Sequence, residues 1–121
     1  MTVKEILQSF YNSLAKKNND WQKNLSEEVV FSDASQKLHA EGKNAFTQSF
    51  TGFLRAVENV QVKQVIIEDT NACALVSYDY ISPNGNKLHQ DDAEVWKITG
   101  GMIESLTIYF DITEFRNFMG R

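Results

Sequence analysis

The chain has 121 residues, of which 42% are hydrophobic and 12% aromatic, with a single proline. This composition excludes a disordered chain, and we expect residues 1–121 to form one domain around one core. The 16 acidic and 12 basic residues give a net charge of −4 without an extended basic run, so nucleic acid and anionic membranes are not expected partners.

The cysteine content and the N-terminal residues indicate the cellular compartment in which the protein is expected. Cys73 is the only cysteine, which excludes an internal disulfide bond. The N-terminal residues lead into an amphipathic helix instead of the apolar stretch of a signal peptide. No segment has the length and hydrophobicity of a membrane span. We therefore expect a cytoplasmic protein.

The first half of the chain predicts three helices and a short strand pair. Apolar residues recur at three- and four-residue spacing in the first helix, at Val3, Ile6, Leu7, Phe10 and Leu14. A short second helix is expected at residues 21–25, and a long third helix from Ala45 to Val57. Between them, residues 29–33 predict a strand and residues 37–40 its hairpin partner.

The second half predicts only strands. Residues 60–68, 72–81, 87–98 and 102–110 are rich in β-branched and aromatic side chains and are separated by short turns. Short turns indicate an antiparallel meander. Helices followed by strands predict an α+β domain in which three N-terminal helices cover one face of a curved antiparallel sheet.

The strand at residues 87–98 carries polar residues on its core face. Leu88, Trp96 and Ile98 mark that face, and strand alternation places Gln90, Asp92 and Glu94 on the same side. Carboxylates on a core face are paired, protonated or beside a cavity. The pattern therefore predicts a pocket, with Asp92 nearer to a solvated mouth.

The order of elements resembles a known family through local marks that are weak individually. These marks are Asn19-Asp20 before the second helix, Val29-Val30-Phe31 in the first strand, Gly42 with Ala45-Phe46 at the third helix, Gly101-Met102-Ile103 at the last hairpin, and Asp111 after the last strand. Together they resemble the nuclear transport factor 2-like fold, a cystatin-like α+β fold, and specifically its SnoaL-like and ketosteroid-isomerase-like branch. The resemblance implies a cone with one deep, mostly apolar pocket and a homodimer. Members include isomerases, cyclases, dehydratases, epoxide hydrolases and proteins without catalysis.

The resemblance also implies site residues. Asp33 matches the general base of the isomerases, and Glu94 matches a protonated acid that donates to a developing oxyanion. Phe10 stands at the position of a helix-one phenol and has no hydroxyl group, and the adjacent Tyr11 lies about 100° round the helix. Without that phenol, the isomerase reaction by the same constellation is doubtful.

Strand alternation suggests further residues of the pocket wall. Tyr78 or Tyr80 could replace the absent phenol, and both also fit simple core packing. The predicted substrate-binding set is Phe10, Tyr78, Tyr80, Asp92, Trp96, Leu106, Ile108 and Phe110. His39 and His89 have no partner at ligand spacing, so no metal site and no cofactor are expected.

Three of the acidic residues also have an explanation that involves no catalysis or ligand binding. Asp33 has the spacing to begin a turn at Asp33-Ala34-Ser35. Glu94 could form an ion pair with a basic residue, namely Lys63, Lys97 or Arg55. Asp111 has the capping-box spacing of a helix N-cap with Glu114.

Three functions follow as hypotheses. The first is a cofactor-free isomerase, cyclase or dehydratase that acts on a small apolar carbonyl or hydroxyl compound by acid–base chemistry. The second is a non-catalytic dimeric binding module for a small apolar ligand, and the third is a scaffold whose pocket is filled by aromatic side chains. The resemblance places the dimer interface on the exposed sheet face, around Ser105, Thr107 and Tyr109.

Overall fold

The computed structural model describes residues 1–120 and has an α+β fold, as predicted. Three α-helices pack against one six-stranded sheet. The helices are α1 (Val3–Lys16), α2 (Lys43–Leu54) and α3 (Ile112–Met119), and the strands are β1 (Leu25–Asp33), β2 (His39–Glu41), β3 (Val57–Glu68), β4 (Asn71–Ile81), β5 (Lys87–Thr99) and β6 (Met102–Tyr109). Within residues 1–120, no helix is both long and apolar enough to cross a membrane.

The sheet is largely antiparallel, with one parallel pair. Its strand order is β2-β1-β6-β5-β4-β3, and the predicted meander of β3 to β6 is present. β1 pairs with β6 in parallel, a pairing that the sequence analysis did not predict. β1 and β6 are far apart in the chain, so no tight hairpin dictates their relative direction.

Two predicted helices are shorter than expected. The second helix is only a 3-10 turn at Asp20–Gln22, because the chain already enters β1 at the buried Leu25. The third predicted helix corresponds to α2, which ends at Leu54. Val57 is the first residue of β3, where it pairs with Tyr80 of β4.

The core lies between the inner face of the sheet and the helices α1 and α2. Aromatic rings dominate it: Phe10 of α1 contacts Trp96 of β5 at a centroid distance of 4.8 Å and Phe50 of α2 at 5.5 Å. Such rings contribute large buried areas and pack preferentially edge to face. α3 also packs against the sheet, where Phe115 contacts Tyr80 of β4 at a centroid distance of 4.9 Å.

α3 begins with the predicted N-cap. The Asp111 carboxylate accepts from the Glu114 amide at 2.9 Å, which confirms the cap. The Glu114 side chain does not complete the capping box. It accepts instead from Gln90 Nε2 at 2.9 Å, and the same nitrogen donates to the Asp111 carbonyl at 3.0 Å. α3 is therefore tied to β5.

Candidate functional site

Strand alternation places Glu94 in the centre of the core, as predicted. Its neighbours in register are Ala74 on β4 and Ile108 on β6, and all three side chains are fully buried. Because directly paired residues share a face of the sheet, Glu94 points toward α1.

Two phenols hold the Glu94 carboxylate. The Tyr11 hydroxyl of α1 donates to Glu94 Oε1 in a short hydrogen bond, and the Tyr78 hydroxyl of β4 donates to Oε2 at 2.8 Å. Trp96 Nε1 in turn donates to the Tyr11 hydroxyl oxygen at 3.1 Å. We call these four side chains the Glu94 network. No basic side chain forms an ion pair with Glu94 in the described part of the chain, so the expected alternative of a salt bridge is wrong.

Burial sets the protonation of this network. It raises the pKa of Glu94 from 4.5 to about 7, although the hydrogen bonds from Tyr11 and Tyr78 favour the charged form. Burial and the Glu94 charge raise the pKa of both phenols well above 10, so the phenols remain protonated donors. Glu94 is therefore the group that changes charge near neutral pH.

Asp92 is a second buried carboxylate, two residues before Glu94 on the same face. It is 4% exposed, so the prediction that it lies near a solvated mouth is wrong. That end of the sheet is closed because Tyr80 and Phe115 pack against each other there. Burial, followed by the charge of Glu94, raises the pKa of Asp92 from 3.8 to about 8.

Four polar atoms around Asp92 have no hydrogen-bond partner. They are both Asp92 carboxylate oxygens, the Tyr80 hydroxyl and Gln90 Oε1. The Tyr80 hydroxyl lies close enough to Asp92 to offset part of its pKa rise, but the geometry falls short of a hydrogen bond. An unpaired buried polar group costs about 1–3 kcal/mol, so these atoms are expected to meet a ligand or water.

Asp33 forms the turn that the sequence predicts as the alternative to a catalytic role. Its Oδ2 accepts from the amide of Ser35 at 2.9 Å and from the Ser35 hydroxyl in a short bond, and its Oδ1 accepts from the Leu38 amide at 2.7 Å. Burial opposes ionisation, but these hydrogen bonds outweigh it and lower the pKa of Asp33. The role of Asp33 as a general base stays a prediction, and its occupied lone pairs argue against that role.

The remaining predicted binding residues lie in the core or at its edge. Phe10, Trp96, Leu106 and Ile108 are each at most 2% exposed. Phe110 is partly exposed and borders a cavity of about 100 Å³ under α3, together with Phe31, Leu38, Phe53 and Phe115. Binding of a ligand by these residues stays a prediction.

Tyr11 is the residue that the sequence interpretation passed over. Its spacing to Leu7 and Leu14 places it on the apolar stripe of α1, and this was the available signal. It is 7% exposed and provides the helix-one phenol that was expected to be missing at Phe10. Tyr11 also lines a surface groove of about 380 Å³ between α1 and β3.

The two histidines lie on the surface. His39 contacts Glu41, and His89 bridges Asp79 and Asp91 on the outer face of the sheet. Across residues 1–120, no three His, Cys, Asp or Glu side chains are grouped so as to hold a metal ion.

Comparison with known proteins decides the family. Residues 7–106 match the SnoaL-like domain. The protein belongs to the SnoaL-like family. No curated protein matches this SnoaL-like chain significantly.

Solved structures share the fold of this SnoaL-like protein. An NTF2-like protein of unknown function from Burkholderia pseudomallei is similar with a TM-score of 0.83 at 11% identity, covering 98% of this chain and 97% of the other. A proposed SnoaL-like polyketide cyclase from Jannaschia has a TM-score of 0.80 at 11% identity, with 98% and 92% covered. TerC, co-crystallised with polyporic acid, has a TM-score of 0.79 at 11% identity, with 98% of both chains covered. At these identities the similarity shows the fold alone.

Proposed function

We propose that this SnoaL-like protein binds a small, neutral, mainly apolar carbonyl compound inside the cone and moves a proton on it without a cofactor. Asp92 and Glu94 lie on one face, two residues apart, which separates their β-carbons by about 7 Å. This spacing allows a small molecule to contact both carboxyl groups. A reaction of isomerase, cyclase or dehydratase type fits such a pair.

The unpaired polar atoms at Asp92 carry this proposal. The Asp92 carboxyl group and the Tyr80 hydroxyl are both buried and both lack a partner. A carbonyl oxygen between them would accept a hydrogen bond from each. Two neighbouring carboxyl groups disfavour an anionic ligand, so the bound compound is neutral.

The two carboxyl groups have different roles in this proposal. Burial raises the pKa of both carboxyl groups, of Glu94 to about 7 and of Asp92 to about 8, so both titrate near neutral pH. Their proximity couples the two titrations. We assign Glu94 as the base because Tyr11 and Tyr78 donate to its carboxylate and so favour its charged form, whereas neither Asp92 oxygen has a donor, which makes Asp92 the acid.

The proposed step is an enolisation. The Glu94 carboxylate takes a proton from the carbon next to the carbonyl, the electron pair of that C–H bond forms a C=C bond, and the π pair of the carbonyl moves onto its oxygen. The Asp92 carboxyl and Tyr80 hydroxyl donate hydrogen bonds to the resulting enolate oxygen. In a β,γ-unsaturated carbonyl compound, returning the proton to the γ-carbon of the dienolate completes an isomerisation of the double bond. Tyr11 and Tyr78 each occupy one lone pair of the Glu94 carboxylate, which leaves acceptor capacity for the proton.

Access is expected under α3. Phe53 and Phe115 border the cavity of about 100 Å³ and both contact Tyr80. A ligand that reaches Asp92 from this side has to displace the Phe115 ring.

A proton-exchange measurement tests the proposal. Cyclohexanone is incubated with the protein in D₂O, and the loss of its α-proton signals is followed by NMR. We expect exchange faster than in buffer, abolished in Glu94→Gln, reduced in Asp92→Asn and retained in the exposed control Glu28→Gln. Carbon-13 titration of the carboxyl groups gives the second readout, and ordinary pKa values for both Asp92 and Glu94 would overturn the proposal.

A binding module is the second candidate function. The observation in its favour is that both Glu94 oxygens already accept a phenolic hydrogen bond, so the network is satisfied without chemistry. This function predicts that cyclohexanone shifts the Asp92 and Tyr80 resonances without exchanging its α-protons. We also propose that the protein forms a homodimer, to be tested by sedimentation velocity.

A further inference from the structure

Gln90 of β5 carries a buried side-chain amide that the proposed reaction does not use. It is 6% exposed and lies two residues before Asp92 on the same face of the strand. β6 ends at Tyr109, opposite Ala93, so Gln90 and Asp92 lie beyond the end of β6. The side chain of Gln90 contacts the first turn of α3 instead.

Two acceptors fix the orientation of this amide. Gln90 Nε2 donates to the Asp111 carbonyl at 3.0 Å and to Glu114 Oε1 at 2.9 Å, so both of its hydrogens are used. A flipped amide would place its oxygen against these two acceptors and lose both hydrogen bonds. Gln90 Oε1 is therefore held as an acceptor that cannot exchange places with the nitrogen.

That acceptor lacks a donor among the described residues. Gln90 Oε1 is buried and makes no hydrogen bond, like the Tyr80 hydroxyl and both oxygens of Asp92. A buried acceptor without a partner is destabilising, and only a group that brings an O–H or N–H can satisfy it. The site thus offers one acceptor, at Gln90, beside the donors at Tyr80 and at the protonated Asp92.

The order of the polar residues along β5 sets the pattern of the ligand. Gln90, Asp92 and Glu94 follow one another on one face at intervals of about 7 Å between β-carbons. In the proposed reaction the ligand carbonyl lies at Asp92 and the acidic carbon lies toward Glu94. The other flank of the carbonyl therefore lies toward Gln90. An interval of this size accommodates two hydrogen bonds of about 2.8 Å to oxygens on neighbouring carbons of one ligand.

We propose, building on the function proposed above, that the ligand is a hydroxy ketone whose hydroxyl group donates to Gln90 Oε1. The hydroxyl group stands on the side of the carbonyl opposite the carbon that Glu94 deprotonates. Gln90 is then the residue that selects for the hydroxyl group. A ketone without a donor at this place leaves Gln90 Oε1 unpaired and binds more weakly.

A matched pair of ligands tests the hydroxyl group. 1-Hydroxy-2-butanone and 1-methoxy-2-butanone share the carbonyl and the ethyl group, and only the first has a donor. Their affinities for the full chain are measured by NMR titration. We expect the hydroxy ketone to bind about tenfold more tightly. Equal affinities, as expected if a water molecule serves Gln90 Oε1 in both complexes, or binding of neither ketone, would overturn the proposal.

Gln90→Met removes the acceptor and keeps the length of the side chain. We expect the two ketones to bind this variant equally, which also separates the lost donor from the bulk of the methoxy group. Glu114→Ala is the control, because it loosens the contact with α3 while the Asp111 carbonyl still holds Nε2. It should retain the preference for the hydroxy ketone. A preference that persists in Gln90→Met, or that both variants lose equally, would contradict the role of Gln90.

Proton exchange in D₂O separates this proposal from the proposed reaction. Glu94 takes a proton from the ethyl methylene group, the C–H pair forms a C=C bond and the carbonyl π pair moves onto oxygen; the reverse step returns a deuteron from the Glu94 carboxyl group. We expect faster exchange at the ethyl group than at the hydroxymethyl group, relative to buffer. A tenfold preference without exchange supports the hydroxyl site and refutes the reaction. Equal binding with equal exchange of both ketones supports the reaction and refutes the hydroxyl site.

Discussion

Asp33 and Glu94 lie on either side of Ile108 in the same row of the sheet. Ile108 of β6 pairs with Asp33 of β1 and with Glu94 of β5, so the two acids are two strand spacings apart, about 10 Å. Both are at most 1% exposed, yet their pKa values move in opposite directions. Asp33 accepts hydrogen bonds from a turn, whereas burial dominates at Glu94.

This contrast gives the first prediction, for Asp33→Asn. The amide retains one acceptor oxygen and loses the other, so we expect a loss of about 1–3 kcal/mol in the free energy of unfolding at pH 7. Since the pKa of Asp33 is lowered below 3.8, its stabilisation is present above that value and is lost as the pH falls below it. Urea unfolding at pH 7 and pH 3 measures both effects.

Ser35→Ala is the matched control for the turn. It removes one donor to Asp33 and should produce a smaller loss with the same pH dependence. If Asp33→Asn instead leaves stability unchanged and abolishes the proton exchange of cyclohexanone, Asp33 is the general base.

The sequence predicted the position of Glu94 because strand alternation is a strict period of two. Leu88, Trp96 and Ile98 identify the buried face, and Glu94 follows from them without knowledge of any other strand. The fold class was predictable for a related reason, since the turns between the last four strands are too short for any arrangement other than a meander.

The partners of Glu94 could not be predicted with the same certainty. Tyr11 reaches it from α1, across more than 80 residues of chain, and its place on the apolar stripe of α1 does not indicate which strand residue it meets. The burial of Asp92 depends on α3 docking over Tyr80, which no local pattern indicates. The parallel pairing of β1 with β6 is likewise a non-local contact.

The second prediction concerns the pH dependence of stability. Both inner carboxyl groups have raised pKa values, from 4.5 to about 7 for Glu94 and from 3.8 to about 8 for Asp92. The folded state therefore binds more protons than the unfolded state between pH 4 and pH 8. The stability that these two groups contribute is greatest below their ordinary pKa values of 3.8 and 4.5, and it falls as the pH rises to about 8, by an amount of the order of a few kcal/mol.

Asp92→Asn isolates this effect. The variant should match the wild type at pH 5 and exceed it in stability at pH 8, because the amide carries no charge to bury. Urea unfolding at the two pH values provides the measurement, with Glu28→Gln as an exposed control. A parallel pH dependence in wild type and Asp92→Asn contradicts the prediction.

The third prediction concerns the helix-one phenol. Tyr11→Phe removes the donor to Glu94 and leaves Trp96 Nε1 without its acceptor, so we expect a loss of about 1–3 kcal/mol in unfolding free energy. The loss should be larger at pH 8 than at pH 5, because hydrogen bonds to an ionised carboxylate are stronger.

Tyr109→Phe is the control for Tyr11, since Tyr109 is 52% exposed. It should change stability by less than about 0.5 kcal/mol, as is usual at the surface. Equal effects of the two substitutions would show that the Tyr11 hydroxyl contributes nothing specific. The carbon-13 signal of Glu94 supplies a separate readout, because losing the Tyr11 donor should raise its pKa further.

The fourth prediction links α3 to the chemistry of Asp92. Phe115 packs on Phe53 and Tyr80, at centroid distances of 5.7 and 4.9 Å, and is 6% exposed. Phe115→Ala should cost about 3 kcal/mol or more in unfolding free energy. It should also admit water to Asp92 and move the pKa of that group from about 8 back toward 3.8.

Phe118→Ala in the same helix is the matched control, since Phe118 is only partly buried. It should affect stability less and leave the carbon-13 titration of Asp92 unchanged. The two readouts separate the roles of α3, because a helix that merely stabilises the fold would change the unfolding free energy without moving the pKa of Asp92. If α3 shields Asp92 from water, Phe115→Ala changes both, and the ligand reaches Asp92 by the same displacement of the Phe115 ring.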